Sequence, residues 1–338
     1  MPLLIFSAFV AALFALTGLL SWVVLYLLKI RNHGRKVFRI TLFSFFTLLP
    51  VILFVVLPIT FSQLVADAST RPQDRSLTET PESFDCRYSE VEFPSRDGLL
   101  LRGWLIEGDR SKSPIVFSHG LFRNRREVLA RACAFSHKGH PALVFDLRCH
   151  GQSQRKTISL GYHERLDVIG AKDFLRRSYG FDQIIIGGVS MGAVAAILAA
   201  SESSQSVEAV IADSPFDTLR ETVARHTQLF LKIPARPFSD VFIWNLTRKA
   251  EFRADQLNTL EACSGLKNIP VLLIYGERDP RMTSEVAERL YNSIPYPRKR
   301  LVFFENAGHG GSFDSAPERY VDSILDFLDE FKGRQGYQ

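Results

Sequence analysis

The sequence predicts an α/β fold, a mostly parallel sheet with helices on both faces, preceded by a pair of apolar helices. Three observations carry this. Short apolar runs alternate with helical patterns from residue 99 onward, several of those runs are continuous rather than alternating in polarity, and two long stretches before residue 67 carry no charge. A strand covered on both faces has no polar side, so its apolar residues run together. A strand-then-helix rhythm implies parallel strands joined by crossovers.

With 338 residues and 46% apolar content, the chain is too apolar for a disordered protein and long enough to bury a large core. The formal net charge of +5 suggests a basic protein. Yet Lys29, Arg31, Arg35, Lys36 and Arg39 all precede residue 67, a stretch without Asp or Glu, and the 36 basic residues that remain match the 36 acidic ones. The folded part is therefore neutral. Nucleic-acid binding is not expected, because it needs a basic field on the folded domain.

Residues 2–28 and 40–66 are each uncharged over more than the roughly 20 residues that span a bilayer as a helix. They predict a transmembrane helical hairpin over residues 1–66, with the lipid bilayer as partner. The first run lacks the basic start of a signal peptide. The five charges of the connector, residues 29–39, place that connector in the cytoplasm by the positive-inside bias, so the remainder of the chain is expected to be extracytoplasmic.

Residues 67–84, rich in Ser, Thr, Pro and charge, read as an exposed linker. Residues 85–334 then form one domain. Strands are expected at Leu99–Ile106, Ile115–Phe117, Ala142–Phe145, Ile184–Val189, Ala209–Ala212, Val271–Tyr275 and Leu301–Phe304. Helical patterns cover Arg125–Ser136, Glu164–Arg177, Met191–Ala200, Ser284–Ser293 and Pro317–Phe331. Residues 214–267 are too long for a simple crossover and predict a small helical cap. Its aromatic residues Phe230, Phe238, Phe242 and Trp244, with Phe216, are expected to pack the cap onto the domain, or else to line an acyl pocket. The four cysteines show no paired metal spacing, and neither a metal nor a cofactor is expected.

The chemistry concentrates at the ends of strands. Gly188-Val189-Ser190-Met191-Gly192 lies between an apolar strand and an alanine-rich helix, the context that a G-x-S-x-G turn requires. The two glycines remove side chains that would collide at so sharp a bend. The turn presents the Ser190 hydroxyl and aims the Met191 amide at charge forming beside it. A serine needs a base, and only His226 and His309 follow it in the chain. His309 sits in a glycine loop after the last apolar strand and is the better base. Asp279, in the Gly276-Glu277-Arg278-Asp279 turn, is the expected acid, with Glu277 as fallback and Asp213 as a weaker alternative. A second oxyanion donor is expected from the Leu121 backbone N–H, with Phe122 as the other choice, after the strand that ends in Ser118-His119-Gly120. His119 itself is expected to hold that loop. The carboxylates of Glu164 and Asp167 read as solvated or capping.

Together with Asp146-Leu147-Arg148-Cys149-His150-Gly151-Gln152-Ser153 and Ala307-Gly308-His309, these segments resemble the α/β-hydrolase superfamily over residues 88–332. The nearest likeness is to membrane-anchored serine hydrolases of the abhydrolase-domain type. The resemblance implies an α/β-hydrolase fold and an esterase, lipase or thioesterase acting on a small-molecule or lipid ester. Cys149 departs from it, standing where relatives usually carry glycine. Two rival readings remain at this point, a peptidase on the same scaffold and a non-catalytic membrane binding module.

Overall fold

The structure is a computed structural model that describes residues 33–52, 56–71 and 77–332, with scattered positions before residue 33. It has two compact units, residues 1–64 and 65–338. Helices α1 (His33–Val51) and α2 (Leu57–Thr70) cover much of the second apolar run, while most of the first run lies outside the described residues. Residues 53–55, between these two helices, lie outside the described residues. No helix among the described residues is long and apolar enough to cross a membrane.

A second difference concerns the linker expected from residue 67. Helix α2 runs on to Thr70, and Ala66, Ser69 and Thr70 are buried rather than exposed. The reason is packing: Ala66 belongs to the apolar core, and the Thr70 carbonyl accepts from the Ile158 N–H.

The sheet has eight strands in the order β1-β2-β4-β3-β5-β6-β7-β8. The edge hairpin is β1 (Tyr88–Pro94) with β2 (Leu100–Ile106), and both β1–β2 and β2–β4 pair antiparallel. Strand β1 escaped the sequence reading because only Val91 and Phe93 face inward, between exposed Glu90 and Glu92. An edge strand with one wet face has no continuous apolar run.

The parallel part contains β3 (Ile115–Ser118), α3 (Leu129–His137), β4 (Ala142–Phe145), α4 (Glu164–Tyr179), β5 (Ile184–Val189), α5 (Met191–Glu202) and β6 (Val207–Asp213). Helices α6 (Leu219–His226), α7 (Phe238–Lys249) and α8 (Thr259–Ser264) then precede β7 (Val271–Gly276), α9 (Ser284–Ser293), β8 (Lys299–Phe304), α10 (Ser312–Ser315) and α11 (Pro317–Lys332). Alternate residues of each strand feed opposite faces. Val116, Leu143, Ile186 and Leu273 join one core, whereas Phe117, Val144, Ile185 and Leu272 join the other. Two cores back to back explain why the strands read as unbroken apolar runs.

The helices follow from the same partition. Every residue from Met191 to Ala200 is buried, and its many alanines let α5 lie close on the sheet. In α11, Tyr320, Val321, Ile324, Phe327 and Leu328 form a single buried stripe at helical spacing. The segment expected as a cap divides in two. Helices α6 and α7, with a π-helical turn at Thr227–Leu231 between them, contribute to a cavity, while α8 packs on α5 and α9 as an ordinary crossover helix.

Candidate active site

Strand β5 delivers Ser190 to a turn with φ 55° and ψ −114°, a conformation that an L-residue adopts only when its surroundings over-determine it. Its N–H donates to the Asp213 carbonyl at 2.8 Å, fixing the turn to the end of β6. A Cβ on Gly188 would lie 2.5 Å from the Gly192 carbonyl carbon and 2.7 Å from the Ser118 carbonyl oxygen. One on Gly192 would lie 2.7 Å from the His119 carbonyl oxygen. Both glycines are needed so that the bend can pack against the end of β3.

Three distant side chains meet here. His309 Nε2 lies 2.8 Å from Ser190 Oγ, and His309 Nδ1 lies 2.6 Å from Asp279 Oδ2. Pairing of β7 with β8 sets the second distance: Glu277 N–H donates to the Phe304 carbonyl and Arg278 N–H to the Ala307 carbonyl, so the two loops travel together. Burial would raise the Asp279 pKa, but the hydrogen bond and charge of His309, joined by the N–H groups of Arg281 and Met282, hold it below the usual carboxylate range. An ionised Asp279 accepts, so Nδ1 carries the proton and Nε2 is left to accept from the serine hydroxyl. Glu277 is exposed. Asp213 is fully buried, with Oδ1 turned to Ser214 Oγ at 2.9 Å.

Ser190 and His309 line a cavity of about 540 Å³ together with Gly120, Leu121, Phe122 and Met191. Among the described residues the Leu121 N–H has no acceptor, and Met191, as the first residue of α5, has no intrahelical one. Phe216, Phe230, Phe238 and Phe242 reach the cavity, but Trp244 does not and is 58% exposed. His226 lines it too. Its Nδ1–H donates to the Thr222 carbonyl at 2.7 Å, and burial holds its pKa below the ordinary value.

Supporting groups surround this core. His119 is fully buried, donating from Nδ1 to the Gly120 carbonyl and accepting the Leu147 N–H at Nε2, so it holds the loop as its position in the sequence suggested. Glu127 accepts the Gly120 N–H at 2.6 Å, and Arg131 donates to the Gly310 carbonyl at 2.6 Å and to the Glu127 carbonyl at 2.8 Å. Sequence reasoning missed Glu127, Arg131 and the cavity residues Val65, Ser69, Arg123 and Arg281, because none of them belongs to a motif. The carboxylates of Glu164 and Asp167 are not solvated; both are fully buried. Arg148 pairs with Asp167 at 2.7 Å, and Glu164 accepts hydrogen bonds from Ser159 and Gly161, so both carboxylates have partners inside the domain. All four cysteines are free and buried. Among the described residues no group of His, Cys, Asp or Glu is arranged to hold a metal ion.

A serine on a strained strand-to-helix turn, facing a histidine that a carboxylate orients, defines an α/β-hydrolase. The chain belongs to the Alpha/beta hydrolase family, whose sequence pattern matches residues 115–323. It is similar to a Pyrococcus furiosus esterase, with 27% identity and a TM-score of 0.65 over 78% of this chain and 98% of that one. It is 29% identical over 238 residues to the uncharacterised protein YqkD of Bacillus subtilis, covering 70% of this chain and 77% of that protein. It is also 36% identical over 126 residues to the thiohydrolase aneE of Aspergillus aculeatus, covering 36% of this chain and 40% of that protein.

Proposed function

We propose that the protein is a membrane-anchored serine hydrolase that cleaves a carboxylic ester or thioester through an acyl-enzyme. The observation that carries the reading is the hydrogen-bonded series from Ser190 Oγ through His309 to Asp279, at 2.8 and 2.6 Å, opening on an apolar cavity. His309 Nε2 takes the hydroxyl proton as Ser190 attacks the carbonyl carbon. The Leu121 and Met191 N–H groups receive the oxyanion, each worth about 10²- to 10³-fold in rate. His309 then gives its proton to the departing alcohol or thiol. Water enters, loses a proton to the same imidazole, attacks the acyl carbon and releases the acid, and the proton returns to Ser190 Oγ. The esterase and thiohydrolase relatives support the two substrate classes, and the phenylalanines of the cavity suit an acyl group better than a charged one.

A fluorophosphonate probe tests this directly, since only an activated serine reacts. Full-length wild type is expected to label and to hydrolyse p-nitrophenyl esters faster than aminoacyl amides. Ser190→Ala should not label, and its kcat should fall on the order of 10⁴- to 10⁶-fold. An unlabelled, inert wild type would leave only a binding role for the fold.

The anchoring part of the proposal rests on the uncharged runs 2–28 and 40–66 and on the five basic residues between them. Alkaline phosphatase fused after Gln338 should be active, and a reporter that works only in the cytoplasm should not. The opposite result would invert the orientation.

A further inference from the structure

The cavity beside Ser190 has a wall that the family match does not supply. Val65 and Ser69 line it together with Ser190, His309 and the cap phenylalanines, yet both precede the matched region, which begins at residue 115. They are one helical repeat apart, so they share a face of α2. That end of the helix is fixed on the domain from several sides. Ala66 between them is fully buried in the core, Thr70 accepts from Ile158, and Asp67 is ion-paired with Lys249 of the cap helix α7. The segment is therefore part of the site, not a tether leading to it.

The chemistry of this wall narrows the substrate. Ser69 is buried, and Val65 brings an aliphatic surface to a space already bounded by Leu231, Phe238 and Phe242. Arg123, Glu127 and Arg281 also line the cavity, but a charged group placed against Val65, Leu231, Phe238 and Phe242 would lose its water without gaining a partner from these side chains. A volume of about 540 Å³ lies within the range of sites that enclose a small molecule. Resting on the serine-hydrolase reading, we propose that the end of α2 from Val65 on forms one wall of an acyl-chain site, that Val65 and Ser69 set the length of chain accepted, and that the substrate is a long-chain acyl amphiphile.

Each methylene buried against such a wall is worth roughly fourfold in kcat/KM. In full-length protein in detergent micelles, kcat/KM for p-nitrophenyl esters should rise from acetate toward the medium- and long-chain esters. Val65→Trp and Ser69→Leu narrow the cavity and should lower the laurate-to-butyrate ratio, for Val65→Trp by roughly 15-fold or more, the worth of two methylenes. Val65→Ala widens it and should move the preferred ester toward longer chains. The ratio is the readout because damage to the fold lowers all esters together, whereas a moved wall tilts the series. Three variants with the wild-type ratio, whatever their absolute rates, would overturn the proposal. A wild type that hydrolyses no ester but takes the fluorophosphonate label would overturn the acyl-chain site alone, and one that does neither would remove the serine-hydrolase reading beneath it.

Discussion

Asp279 meets His309, and Glu277 and Asp213 do not, for reasons visible one residue at a time. The turn after β7 leaves Glu277 exposed and returns Asp279 inward, where its N–H closes on the Gly276 carbonyl at 3.2 Å. A side chain on Gly276 would run into the Ala307 and Gly308 carbonyls, so that position must be bare for the acid and base loops to touch. Asp213 ends the neighbouring strand under the site and spends its Oδ1 on Ser214 and Ser312. Asp279→Asn should therefore lower kcat by about 10⁴-fold, as expected when the imidazole loses its tautomer. Glu277→Gln should change kcat less than about threefold, a surface substitution away from the reacting atoms. Steady-state kinetics on one ester decides both, and the reverse order would reassign the acid. Because Asp279 is held below the usual carboxylate range, its titration should not appear in the kcat/KM profile above about pH 4.

The loops that carry Asp279, His309 and Ser190 are held by buried elements, and α3 is the clearest case. Arg131 of α3 is buried, stacks its guanidinium over Phe313 and Tyr320, and donates to the carbonyls of Gly310 and Glu127. Its charge also opposes the burial that pushes the Asp213 carboxyl upward. Arg131→Leu keeps apolar contact but strands two carbonyls and a carboxyl, at a cost of about 3 kcal/mol. The melting temperature should fall by several degrees and kcat by roughly 10- to 100-fold as the His309 loop loosens. Unchanged melting would mean that the loop supports itself. None of this was legible in the sequence, where Arg131 is one basic residue in a helical pattern. Strands, the Ser190 turn and the His309 loop were legible, because continuous apolar runs and fixed glycine spacings are local signals. The edge strand β1, the buried pairing of Arg148 with Asp167, and the placement of α2 were not, since each depends on partners far along the chain. Cys149 falls between these cases: its φ of 65° is a conformation that glycine adopts without strain, while its burial shows how a small apolar side chain is tolerated there.

At the scale of the molecule, the chain from residue 67 on has equal numbers of acidic and basic residues, so its stability follows individual buried groups rather than net repulsion. Four histidines, His119, His150, His163 and His226, have pKa values lowered first by burial. In the unfolded chain each returns to about 6.5. Below that pH the unfolded state binds protons that the native state refuses, so stability is complete above pH 6.5 and is lost as the pH falls toward the native values. Each histidine contributes a slope of up to about 1.4 kcal/mol per pH unit in that window. Asp146, Asp167 and Asp213, raised by burial, take up protons more readily when folded and oppose the loss; Asp167, pushed up to about 6, does so within this window, where the four histidines outweigh it. The melting temperature should accordingly fall between pH 7.5 and pH 5.5, well above the range in which ordinary carboxylates titrate. His119→Gln keeps an acceptor for the Leu147 N–H and removes one titrating group, so its melting temperature should fall less over the same interval, even if it starts lower. A flat melting curve in wild type, or an equal slope in His119→Gln, would mean that the buried imidazoles stay accessible to protons in the native state.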